Sequence, residues 1–144
     1  MAQYFETEVS YQKEDETGAL KPVKDLYLVD ALSYTEAEAR ISKEVENTKG
    51  GFQLKITKKN LTEVFENQLR EDTYWLAKVD YIVWDEKTQK EKKTTHKMLV
   101  QGAGILGAYT ELKINLGTLN DYEITSITKT AILEVFKWKI GFSE

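Results

Sequence analysis

The chain carries one pattern twice, and a duplication limits the folds open to it more than any other feature. Tyr4-Phe5, Val9 and Tyr11 recur 70 residues later as Tyr74-Trp75, Val79 and Tyr81. Leu28-Val29, Ala37, Ile56-Thr57-Lys58 and Glu63-Val64-Phe65 recur at an offset of 71 as Leu99-Val100, Ala108, Ile127-Thr128-Lys129 and Glu134-Val135-Phe136. The drift of one residue places an insertion in the second copy, in the hairpin after Trp84. Repetition of this kind means one supersecondary unit used twice. The expected organisation is a single domain of two repeats, about residues 3–65 and 73–136, related by a pseudo-twofold axis and followed by a tail, 137–144. With 144 residues in all, each half alone would bury too little surface to be stable.

Within each copy the hydrophobic period changes from two to about four and back. Phe5, Thr7, Val9 and Tyr11 alternate with Glu6, Glu8 and Ser10, the period of a half-buried strand. Glu14-Asp15-Glu16-Thr17-Gly18 reads as a turn, and Pro22 opens a second strand, where proline is tolerated. Ser33 and Glu36, or Thr35 and Glu38, have capping-box spacing ahead of Ala37, Ile41 and Val45 on one helical stripe. Phe52, Leu54 and Ile56 form a third strand, which Leu61 to Phe65 continues after a bend. The second copy repeats this: strand 74–84, return strand 92–101, helix 105–116 with Ile105, Ala108, Leu112 and Leu116 near one face, and a strand region 122–136. The order ββαβ–ββαβ gives an α+β fold, a mainly antiparallel sheet with two helices on one face.

Composition narrows function by exclusion. There is no cysteine, which removes disulfides and thiolate chemistry, and a single histidine, His96, which disfavours imidazole metal sites. The net charge of −4 argues mildly against duplex DNA as a partner. No run reaches the roughly 20 apolar residues of a membrane span, and the start Met1-Ala-Gln-Tyr-Phe-Glu6 does not read as a signal peptide. No nucleophile elbow, phosphate-binding loop or metal-spaced cluster appears. The expectation is a protein that is not an enzyme, has no cofactor and does not contact a membrane.

Three places carry binding chemistry. The tail, with Trp138, Ile140 and Phe142 alternating with lysines, suits strand addition to a protein partner or to another copy of the chain. The hairpin bearing Lys87, Lys90, Lys92, Lys93, His96 and Lys97, with Tyr81 and Trp84 nearby, suits phosphates and stacked bases of single-stranded nucleic acid. Gly102, Gly104 and Gly107 spell GxGxxG between a strand and a helix, a weak nucleotide-binding signal. The matching stretch of the first copy, Ala31 to Glu36, has no glycine. The second helix has also lost charge: Glu36 and Glu38 correspond to Gly107 and Tyr109, so this helix is expected to be the more buried, inside the fold or against another subunit.

The stretch Tyr27-Leu-Val-Asp-Ala-Leu-Ser-Tyr-Thr-Glu-Ala-Glu-Ala-Arg-Ile41 resembles a domain family of unknown function found in Bacteroidota and their phages, including crAss-like phages. Tyr4-Phe5, His96-Lys-Met-Leu-Val-Gln101 and Thr130-Ala-Ile-Leu-Glu-Val-Phe136 resemble it too, so the likeness spans essentially the whole chain. Gly102-Ala-Gly104 departs from the alanine-rich turn expected there. The resemblance implies an accessory protein in the cytoplasm of a bacterial host cell, and brings no activity or catalytic residue with it. The reading that results is a binding or assembly module for a macromolecular partner, most readily protein. Single-stranded nucleic-acid binding and nucleotide capture are the alternatives.

Overall fold

The structure, a computed structural model, describes residues 3–46, 51–67 and 73–137. The alternating opening segment forms β1 (Gln3–Glu14), which pairs antiparallel with β2 (Leu20–Ala31). A short turn joins them because Asp15 Oδ1 accepts from the backbone N–H groups of Thr17 and Ala19, at 2.9 and 3.0 Å. Helix α1 (Tyr34–Glu44) follows, then β3 (Gln53–Lys59), antiparallel to β1 on its other side. The second copy repeats the order: β5 (Tyr74–Asp85), β6 (Lys90–Gln101), α2 (Gly104–Leu116) and β7 (Tyr122–Lys129). Asp85 Oδ1 accepts from the N–H of Lys87, repeating the role of Asp15. Glu14 pairs with Leu20 across residues 15–19, whereas Trp84 pairs with Glu91 across residues 85–90, so the inserted residue lies in the second hairpin as expected.

The fold is α+β, with two four-stranded mixed sheets and a repeated ββαβ-like arrangement. Each helix connects two parallel strands that flank the central antiparallel one, which makes a split βαβ unit. Phe5, Val9, Val29 and Ala31 form one core with Ala37 and Ile41 of α1. Ala77, Val79, Met98 and Val100 form the equivalent core with Ala108 and Leu112 of α2. Full burial of a side chain such as Val29 or Leu112 contributes about 1.5–3 kcal/mol. Thr7 is buried in the same layer and its hydroxyl donates to the carbonyl of Tyr27 at 3.3 Å.

The last strand of each copy departs from the expectation of a simple continuation. β4 (Glu63–Phe65) does not extend β3; it pairs in parallel with β6, and β8 (Ile132–Phe136) pairs in parallel with β2. The strand orders are β3-β1-β2-β8 and β4-β6-β5-β7. The described residues therefore fall into two compact units, one made of those up to 60 together with 132–137, the other of those between 61 and 131. The sequence region 122–136 is likewise two strands in two sheets. The break is local: Thr130 turns its N–H and hydroxyl to the carbonyl of Tyr74, at 3.0 and 2.7 Å, while Thr62 donates its N–H to Lys97 at 2.8 Å.

Candidate docking face on the second helix

The two helices bury equivalent positions and differ on the outside. In α1, Ser33 caps the first turn by accepting from the N–H of Glu36 at 3.2 Å, and the Glu36 carboxylate accepts from the N–H of Leu32 at 3.0 Å. This decides the register that sequence left between Ser33 and Thr35. Glu36 also pairs with Arg40 at 3.5 Å, and glutamates and lysines occupy much of the rest of the exposed side. Such a helix is solvated on one side and packed on the other.

Helix α2 is not built that way. Ala108 and Leu112 face the core, but Ile105, Leu106, Tyr109 and Ile114 are exposed, Leu106 by 74% and Ile114 by 70%, and Leu119 just beyond is 95% exposed. Sequence placed Ile105 on the inward stripe; it is 58% exposed. Within the fold, α2 is not the more buried helix of the two. Its apolar outer side faces away from its own core.

Beside it lies β7, the end strand of its sheet. The register between β5 and β7 shifts where Lys78 meets Ser126 and Val79 meets Ile124, leaving Thr125 as an extra residue. A bulge of this type bends an edge strand and re-aims its side chains. The result is a groove of about 350 Å³ lined by Ile105, Leu106 and Tyr109 from α2 and by Ile124, Thr125, Ser126 and Ile127 from β7. Beyond it, the Lys113 ammonium sits 4.8 Å from the centre of the Tyr122 ring, and its pKa is raised mainly by that tyrosine. On the other face of the sheet, Asp80 and Glu123 lie directly opposite each other in the β5–β7 pairing. Thr95 donates to Asp80 at 2.6 Å and Lys93 pairs with Glu123 at 3.6 Å.

The basic hairpin forms as expected but is divided by its register. Tyr81 pairs with Thr94, and shares the helix side of the sheet with Lys90, Lys92 and His96. Trp84 pairs with Glu91 on the opposite side, with Lys93 and Lys97. Lys87 is in the turn. His96 Nδ1 lies 3.1 Å from the Thr62 hydroxyl, and its ring meets Tyr81 edge-on at 4.9 Å. The strand therefore does not bring Tyr81 and Trp84 onto one stacking surface.

The glycine motif meets a packing need. A Cβ on Gly102 would stand 2.6 Å from the backbone nitrogen of Ala108, so the missing side chain lets α2 lie against the strand end. The Gly102 carbonyl accepts from the indole N–H of Trp75 at 3.0 Å. Gly104 has φ of 79°, a left-handed value that favours glycine at the start of α2, and a Cβ on Gly107 would stand no closer than 3.8 Å to Ala103 and Gly102. The space next to Gly102 is filled by helix backbone.

In the other unit, a recess of about 400 Å³ is lined by Val9, Tyr11, Asp25, Tyr27, Glu44 and Val45 among others. Tyr11 donates to Asp25 at 2.8 Å, and Tyr27 meets Phe136 at 5.4 Å between ring centres. Among the described residues there is no group of three or more His, Asp or Glu placed to hold a metal ion. No helix among them is long and apolar enough to cross a membrane. Trp138, Ile140 and Phe142 lie outside the described residues.

Sequence reasoning missed Leu106 and Ile114 as surface residues, and the half-buried Ile124 and Ile127 as part of the groove wall. The available signal was that Leu106 and Ile114 fall off the Ala108–Leu112–Leu116 stripe, so that α2 is apolar on more than its core side. No curated protein and no solved structure matched the chain. Residues 3–138 match one family, described as Domain of unknown function (DUF4494). That match spans both copies, and the chain belongs to this family.

Proposed function

We infer that the protein is a non-enzymatic binding or assembly module, and that its working surface is the apolar outer side of α2 with the adjoining edge of β7. The observation that carries this is the exposure of Leu106 and Ile114 on a helix whose sister in the same chain is charged on its outside. Clustered exposed aliphatic and aromatic side chains mark interaction surfaces, and aromatic anchors such as Tyr109 are typical of contact cores. A polypeptide suits the surface because an edge strand offers backbone donors and acceptors beside an apolar groove. The resemblance of Tyr27–Ile41 to chains of Bacteroidota and their phages supports a role as an accessory protein in the bacterial cytoplasm.

Site-specific photo-crosslinking in cells tests this. A benzophenone side chain at Tyr109 should give polypeptide adducts, and the same group at Glu38 on α1 should give none. Equal labelling at the two positions, or none at Tyr109, would overturn the reading. Single-stranded nucleic acid on the β5–β6 hairpin is the weaker alternative, because its two aromatics are on opposite faces.

A further inference from the structure

We propose that the groove between α2 and β7 receives the C-terminal segment Trp138–Phe142 of a second copy of this chain, laid alongside β7. The inference rests on the docking function assigned to that face and names its occupant. Four observations lead to it.

The first is pattern. Trp138, Ile140 and Phe142 recur at every second residue, so an extended segment turns all three to one side. The groove offers Ile105, Leu106, Tyr109, Ile124 and Ile127 on the helix side of the sheet. The second is charge. The same extended segment turns Lys137 and Lys139 to the other side, where β7 presents Glu123 opposite Asp80. Two carboxylates directly across a strand pair repel, and Lys93 supplies one cation for them; a second cation from a docked strand would relieve the rest.

The third is co-occurrence. The first copy has neither half of the contact. Nothing resembling the tail follows Phe65, and the positions matching Leu106 and Tyr109 are Thr35 and Glu38. The fourth is availability. Among the described residues β7 ends its sheet, and the tail follows directly on β8, which ends at Phe136 in the other compact unit. A tail that reaches the groove of another copy makes a heterologous contact, which closes into a ring or reciprocal dimer or runs on as a chain.

The test uses the full-length chain throughout. Light scattering after size exclusion, over a range of concentrations, compares the wild type, the tail variant W138E/F142E and the groove variant Leu106→Asp. A fluorescent peptide of residues 136–144 is then titrated into the tail variant and into the tail variant carrying Leu106→Asp. The expected result is a wild-type assembly, monomeric variants of both kinds, and peptide binding that weakens at least about tenfold with Leu106→Asp. A monomeric wild type, or a peptide that does not bind, overturns the proposal. An assembly that survives W138E/F142E but is lost with Leu106→Asp overturns the tail as occupant and leaves the docking face standing. An assembly indifferent to Leu106→Asp overturns both.

Discussion

Val64, near the end of the first sequence copy, lies in register with Leu99 of the second, and Val135 lies in register with Leu28 in the same way. All four are buried. The copies therefore exchange their last strands, and each sheet is completed by a strand from the other repeat. Removing the Leu99 side chain should be costly because it is fully buried beside a strand of only three residues. We expect Leu99→Ala to destabilise by about 2–5 kcal/mol, the range for buried leucines. Urea unfolding of Leu99→Ala, Val64→Ala and the double variant should give non-additive losses, as for residues in contact. Strict additivity would argue against the pairing.

The exchange also bears on what was legible in the sequence. Phe5, Thr7, Val9 and Tyr11 announced β1 because alternation is a local signal, and Ser33 with Glu36 announced α1 because a cap is satisfied within one turn. The partner of Val64 was not legible. Glu63-Val64-Phe65 pairs with residues more than thirty positions away, and nothing in a three-residue apolar run says which sheet it joins. The groove was half legible: the loss of charge at Gly107 and Tyr109 was visible, but burial inside the chain's own fold, one of the two outcomes expected from it, is not what these residues show. Apolar positions off the core stripe mark a surface only once the core side is fixed by Ala108 and Leu112.

Gly102 and Gly107 separate packing from nucleotide binding. Gly102→Ala pushes a methyl against the Ala108 backbone, and overpacking of this kind costs about 1–3 kcal/mol. Gly107→Ala, inside α2, would place its methyl at ordinary contact distance, 3.8 Å from Ala103 Cβ and from the Gly102 carbonyl carbon, and should be neutral or stabilising by up to about 1 kcal/mol. Thermal melts of the two variants check this. Equal tolerance at both positions would contradict the close approach.

Helix α2 begins without a side-chain cap, since Ala103 occupies that position. Ala103→Ser should stabilise the protein by roughly 0.5–2 kcal/mol, and Ser33→Ala should cost α1 a similar amount. Denaturant midpoints measure both, and opposite signs are expected.

Alkaline pH should weaken the fold. The Tyr11 phenol is held above its ordinary range first by its hydrogen bond to Asp25 and then by burial. Tyr27 and Tyr81 are raised chiefly by burial, and Lys113 chiefly by Tyr122. All four keep their protons to higher pH when folded than when unfolded. Their contribution is complete below the unfolded values, about 10 for tyrosine and 10.4 for lysine, and is lost as pH rises through the raised folded values. The urea midpoint should fall above about pH 10, and less steeply in Tyr11→Phe; an unchanged midpoint across that range would count against these assignments.

The most direct measurement is native mass spectrometry of the protein isolated at low salt from the cells that make it, alongside Leu106→Asp. Leu106 is exposed, so the substitution should leave folding within about 0.5 kcal/mol of the wild type. The account predicts wild-type protein carrying additional polypeptide mass, whether a second copy or another chain, and a bare Leu106→Asp monomer. A bare wild-type monomer, or added mass that disappears with nuclease, would contradict it.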